Sequence, residues 1–154
     1  MVFLKNMDIT IKESTLDEAI RINKQIPELE EPHFTKAYCE QKCGSKEKLV
    51  LIAYLNKEPA GYLIGFDHHE DGSFYCWMVG VLLKFRRKGV LTSLMQYQDK
   101  WAKKKGYTGI RLKTRNKRRE MLAYLVKYGF SFARVIKKGH ETPEEYRICM
   151  EKKL

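Results

Sequence analysis

Between Val79 and Leu91 a basic loop, Arg86-Arg87-Lys88, and one glycine, Gly89, separate an apolar run from the start of an amphipathic one. Main-chain N–H groups in the first turn of a helix have no partners within it, and the helix dipole makes their surroundings positive. Such a start holds a phosphate, and the spacing here suits a pyrophosphate. Gly89 removes the side chain that would block close approach, while the three cations add charge. Gly80 is a second signal, since glycine weakens a strand and marks a bulge or a close backbone approach. A bulge at Gly80 is expected to splay this strand from its neighbour and to leave amides and carbonyls open around Val81. A ligand bearing amide groups would dock there like an extra strand.

The elements that must position this segment follow from periodicity. Alternation over Asp8–Glu13 predicts a first strand, and Ser14-Thr15 with the acids after it predicts a helix start. That helix carries Leu16, Ile20 and Ile26 inward and stops at Pro27. An acidic connection from Glu28 to His33 leads to a second helix over about 34–42. Strands are expected at 49–55, 60–67 and 74–83, with turns at Asn56–Pro59 and His68–Gly72. Val90, Leu91, Leu94, Met95, Tyr97, Trp101 and Ala102 share a face, while Thr92, Ser93, Gln96, Asp99 and Lys100 lie opposite, which predicts a helix ended by Gly106. A strand around Ile110–Thr114, a helix over 118–128 ended by Gly129-Phe130, and strands at 132–137 and 146–152 complete the order β-α-α-β-β-β-α-β-α-β-β. The strand–helix–strand step implies one parallel crossover in an otherwise antiparallel sheet. The expectation is one α+β domain over residues 1–154: a mixed sheet of about seven strands, mostly antiparallel, with a parallel splayed central pair and about four helices.

A chain of 154 residues is about one domain in size, and 44% apolar residues exclude a disordered protein. No apolar run reaches the roughly 20 residues of a membrane span, and the opening Met1–Met7 is too short and polar for a secretory signal. The four cysteines, Cys39, Cys43, Cys76 and Cys149, have no zinc-ligand spacing, so no metal is expected and they read as reduced thiols of a cytoplasmic protein. The net charge is +11, and from Lys84 to Lys127 fifteen Lys and Arg residues face only Asp99 and Glu120. A polyanion is therefore expected, either a nucleic acid or a phosphorylated ligand.

This pattern resembles the GNAT superfamily of N-acetyltransferases, whose loop reads Arg/Gln-x-x-Gly-x-Gly/Ala after a strand of the Leu-x-Val type. Val79-x-Val81, Arg86-x-x-Gly89, Thr114-x-Asn116 and Gly129-Phe130 carry the likeness in the right order over essentially the whole chain. The resemblance implies acetyl-CoA as co-substrate and an amine acceptor, small molecule or peptide. It implies that the strand end at Val79 and the backbone of Val81, Leu82 and Leu83 hold the pantetheine amides and polarise the thioester carbonyl. It implies that Arg86, Arg87, Lys88, Gly89, Val90, Leu91 and Thr92 cradle the pyrophosphate and that Asn116 hydrogen-bonds the coenzyme. Homodimers are common in the superfamily, so a homodimer here is an analogy only, and the sequence does not set the oligomeric state.

Two positions depart from the family pattern. Leu91 replaces the second small residue of the loop, and Leu125 stands where many members carry the tyrosine that protonates the leaving thiolate. Tyr124 is adjacent, rotated by about 100° on a helix, and is the candidate acid; Tyr128 is the other nearby phenol. The central strand offers no carboxylate as a base. Candidates come from His68, His69, Glu70 and Asp71, or from Glu28, Glu30, Glu31 and His33, or from a water chain. The acidic run from Glu28 to Glu31 suggests a cationic acceptor. Two other readings stand beside the enzyme: a non-catalytic acyl-CoA sensor, and a nucleic-acid module using Trp101, Tyr107, Tyr124 and Tyr128 among the cations.

Overall fold

Asn56 and Lys57 both take positive φ, at 49° and 70°, the conformation of a two-residue hairpin turn. They fold β2 (Lys48–Leu55) directly onto β3 (Glu58–Phe66), so the strand begins before the expected turn has ended. Pro59 is inside β3, opposite Tyr54 at a register shift between Ala53 and Tyr54, where a missing N–H costs the ladder least. The computed structural model describes residues 7–29 and 31–154. Residues 1–6 of the opening stretch and the candidate base Glu30 lie outside the described residues.

The remaining elements are β1 (Ile9–Glu13), α1 (Leu16–Asn23), α2 (Lys36–Cys43), β4 (Ser73–Val81), α3 (Val90–Lys104), β5 (Gly109–Arg115), α4 (Arg119–Tyr128), β6 (Ser131–Ile136) and β7 (Arg147–Lys153). Short 3-10 turns occupy Pro27–Leu29, Leu83–Phe85 and Pro143–Glu145. The seven strands form one sheet in the order β1-β2-β3-β4-β5-β7-β6, antiparallel throughout except for the parallel pair β4–β5. The expected element order and parallel crossover are both present. Thr15 caps α1 and Thr35 caps α2 through their hydroxyls. Residues of α1 and α2 pack with Ile52, Tyr62 and Ile64 on one face, while α3 and α4 share the core of the other face with Leu94, Met95, Leu122 and Leu125.

What matters for the site is where β4 and β5 part. They pair only from Ser73↔Gly109 to Tyr75↔Arg111, although β4 continues to Val81 and β5 to Arg115. Directly beyond the last pair, Met78 lies opposite Ile64 and Cys76 opposite Gly65, which leaves Trp77 as the extra, bulged residue of β4. The bulge is thus at Trp77 and not at Gly80, which stays in register with Tyr62. Gly80 serves a close approach instead: a Cβ there would meet Leu29 Cδ1 at 2.7 Å and Ile26 Cδ1 at 2.8 Å. The strand also ends at Val81, earlier than the expected Leu83, because the chain turns into the 3-10 segment at Leu83, whose side chain is 76% exposed.

Gly80→Ala is expected to lower stability by about 1–3 kcal/mol, the usual cost of overpacking, with a fall in the urea midpoint. An unchanged midpoint contradicts the packing of the α1–α2 connection onto β4.

Candidate active site

The opening between β4 and β5 widens into a cleft of about 970 Å³. Its walls are β4 from Tyr75 to Val81, β5 from Leu112 to Arg115, the first turns of α3 and α4, and the α1–α2 connection. The sheet face turns here because of the bulge. Phe74, Cys76 and Val79 pack with the α3–α4 core, whereas Trp77 and Met78 both pack with the α1–α2 cluster.

Gly89 is in the left-handed region at φ +86° and caps α3 without a side chain. A Cβ there would touch only Ile9 Cδ1, at 3.6 Å, so the space over the helix start is open. Ser93 N–H is the first in α3 to reach back, to Gly89 O at 3.0 Å. The N–H groups of Val90, Leu91 and Thr92 have no protein acceptor among the described residues. Arg87 has positive φ as well, 61°, and its side chain meets Glu120 at 3.6 Å on an exposed rim. The arrangement presents main-chain donors and the positive helix end to an anion. The larger Leu91 is half-buried at this start and packs against the core.

Of the residues proposed from sequence, Val79, Val81, Arg86, Arg87, Gly89, Val90, Leu91, Thr92 and Tyr124 all line this cleft. Leu82, Leu83 and Lys88 lie beside it without lining it. Leu82 N–H continues the ladder to Ala60 O at 2.8 Å. Arg86 folds back: Nε donates to Val81 O at 3.0 Å, and its guanidinium pairs with Glu28. Asn116 faces a separate hollow between α4 and β6. Its amide donates to Pro143 O at 3.1 Å and accepts from Arg119 at 2.6 Å, so it fastens the Pro143–Glu145 turn to the start of α4.

Tyr124 is half-buried with its hydroxyl 2.8 Å from Thr92 Oγ1, and burial raises its phenol above the usual tyrosine value. Its ring stacks on Tyr128 at 5.8 Å. Tyr128 donates to Asp99 Oδ2 at 3.0 Å, and Lys152 reaches the same oxygen at 2.5 Å. Burial, then the Asp99 charge, push the Tyr128 phenol up. Asp99, placed on the solvent face by periodicity, is in fact spent on this internal tie. Leu125 is buried in the cleft floor.

Among the candidate bases, Glu28, Glu31 and His33 line the cleft. Glu28 is taken by Arg86, and its backbone oxygen accepts from Arg118 at 3.0 Å across the opening. His33 and Glu31 pair with each other at 3.0 Å. His68 and His69 instead pack against Tyr75 at 5.2 and 5.7 Å, tilted and edge-on respectively, without lining the cleft, and Asp71 is bonded to Ser73 and Arg111. Sequence reasoning missed Trp77 as the bulge and Arg118 as the residue that reaches Glu28. Neither has a local signal, since tryptophan is an ordinary strand residue and the Arg118 contact spans 90 positions. The aromatics considered for base stacking are largely committed inward: Trp101 and Tyr107 pack on buried Phe74 at 5.0 and 5.1 Å. Among the described residues no group of three or more His, Cys, Asp or Glu is placed to hold a metal, and no helix is long and apolar enough to cross a membrane.

The profile described as the acetyltransferase (GNAT) family matches residues 14–130. No curated protein matches the chain. Among solved structures, the ribosomal-protein-S18-alanine N-acetyltransferase from Escherichia coli superposes with a TM-score of 0.76 at 18% identity, covering 95% of this chain and 94% of that one. A GNAT family acetyltransferase from Elizabethkingia anophelis with acetyl-CoA bound gives 0.72 at 20%, covering 95% and 98%. Nourseothricin acetyltransferase gives 0.62 at 17% over 69% of this chain, which spans 65% of that protein's length. At these identities the likeness is one of fold.

Gly89→Val is expected to raise the Kd for acetyl-CoA by more than about 10-fold while costing roughly 1–2 kcal/mol of stability from the left-handed backbone. Gly106→Val, at φ +97° with open space around it, imposes similar strain at the far end of α3 and should leave the Kd unchanged. Equal affinity in both variants contradicts the assignment of the α3 start.

Proposed function

The chain belongs to the acetyltransferase (GNAT) family, and on that premise we propose that it moves the acetyl group of acetyl-CoA to an amine acceptor, small molecule or peptide, by direct attack on the thioester. The observation that carries the reading is the splayed β4–β5 edge opening onto an uncapped helix start. In the transfer the acceptor nitrogen bonds to the carbonyl carbon, the carbon–sulfur bond breaks, the coenzyme leaves as thiolate and the nitrogen gives up a proton.

The open main-chain edge of β4 from Val79 to Val81 takes the amide-bearing arm and supplies donors for the charge that develops on the carbonyl oxygen, since Leu82 N–H is already given to Ala60 O. The N–H groups of Val90, Leu91 and Thr92, with the charges of Arg87 and Lys88, take the pyrophosphate. Arg86 works from behind, tying the end of β4 to Glu28 so that the loop keeps its shape. Asn116 holds the start of α4 from outside the cleft. Tyr124, kept protonated by burial, is the proton donor to the thiolate; a thiol pKa near 8.5 makes this help moderate. The His33–Glu31 pair is the base candidate that lines the cleft and is free of the Arg86 tie. All four cysteines are unpaired, which supports a reducing, cytoplasmic setting.

Thiol release from acetyl-CoA with a panel of amino acids, polyamines, aminoglycosides and peptides tests the reading, and turnover with at least one acceptor is expected. Tyr124→Phe should then lower kcat by about 10- to 100-fold at an unchanged KM for acetyl-CoA. An unaltered kcat removes Tyr124 from proton donation, and coenzyme binding without thiol release for any acceptor favours the sensor.

A further inference from the structure

Along β5 the side chains divide between two faces. Ile110 and Leu112 enter the α3–α4 core, so Arg111, Lys113 and Arg115 point to the opposite face, the one on which Trp77 packs with α1–α2. Most cations there are matched to carboxylates. Arg111 meets Asp71 at 3.0 Å and Glu151 at 3.8 Å, Arg115 meets Glu145 at 2.6 Å, and Arg147 meets Glu141 at 3.3 Å.

Lys113 is the exception that lines the cleft. It has no carboxylate within 4.0 Å among the described residues, nor do Lys42 at the end of α2 and Lys138 beyond β6. Burial, then Lys42, push the Lys113 amine below the usual lysine range, with Lys138 and Arg147 adding to the effect. Burial first, then the neighbouring His69, Lys42, Lys46 and Lys113 for His68 and Arg111, Lys113 and Arg134 for His69, hold both imidazoles below the usual histidine range. On the other rim, Glu28 of the acidic run that suggested a cationic acceptor pairs with Arg86, and Glu31 lies 3.0 Å from His33. The wall at Lys113 therefore carries positive charge with no carboxylate partner among the described residues.

Resting on the acetyl-transfer reading above, we propose that the acceptor amine is carried on a molecule that also bears an anionic group, a carboxylate or a phosphate, received by Lys113 on the Trp77 side of the cleft. A simple ammonium ion is repelled at this wall. An anionic group on the same molecule offsets that repulsion, and the positive charge of the wall favours the neutral amine that attack requires.

Equilibrium titration at fixed ionic strength, on protein saturated with coenzyme A, compares tyramine with tyrosine and ethanolamine with O-phosphoethanolamine. The anionic member of at least one pair is expected to bind at least about 10-fold tighter. Preference in the first pair alone identifies a carboxylate, and in the second alone a phosphate. Lys113→Glu should abolish the preference while coenzyme A affinity stays within about 2-fold. Coenzyme binding with no preference in either pair, including no amine binding at all, overturns this proposal alone, as does a preference that survives Lys113→Glu. Failure of wild-type protein to bind coenzyme A overturns the acetyl-transfer reading and this proposal with it.

Discussion

Adjacent parallel strands ordinarily zip along their shared length, because a buried main-chain group without a partner costs about as much as a lost hydrogen bond. Here β4 and β5 share three residue pairs and then separate. Each stays paired on its other edge, β4 to β3 through Val81 apart from the bulge at Trp77, and β5 to β7 through Arg115. The cost of separation is thus confined to one pair of facing edges, and those edges are open to solvent and to a ligand with amides of its own. The bulge at Trp77, one residue past Cys76↔Gly65, turns β4 at the point of departure. The α1–α2 connection packs against Gly80 and holds the departing strand in its new direction.

Charge completes the arrangement. The basic stretch from Lys84 to Lys127 does not act as one patch. Arg86 and Arg118 are turned inward to Glu28 and stitch the α1–α2 connection to both sides of the opening. Lys105 meets Glu47 and the Trp101 ring at the far end of α3. Arg87 lines the cleft beside the start of α3, with Lys88 next to it, at the positive end of a 15-residue helix. The same composition that suggests a nucleic acid is therefore distributed so that one phosphorylated ligand meets a localised positive site.

Much of this architecture was legible in the sequence because it rests on local chemistry. The change from the apolar run over 74–83 to helical spacing at Val90, with Gly89 between, located the strand, the loop and the helix start together, although the strand itself ends at Val81. Gly129-Phe130 ended α4 as expected, with Gly129 at φ +113° and Phe130 buried. What was not legible depends on partners distant in sequence. The bulge fell at Trp77 because the β3–β4 register shifts between Ile64 and Gly65, and Gly80, the residue that looked like a bulge, was small to admit Ile26 and Leu29. Asn116 matched a motif position, yet its amide is used by Pro143 and Arg119. Asp99 read as a solvated helix residue, and it is half-buried, accepting from Tyr128 and paired with Lys152.

The central claim is that the parted β4–β5 edge and the bare first turn of α3 form one continuous site for a phosphorylated thioester. Backbone amide resonances followed by heteronuclear NMR during titration with acetyl-CoA test it most directly. The account requires the largest and mutually saturating shifts at Val79–Val81 and Val90–Thr92, with β1 and β2 little changed. Shifts confined to the lysine-rich end of α3 at Lys103–Lys105, or none at the first turn of α3, would contradict it.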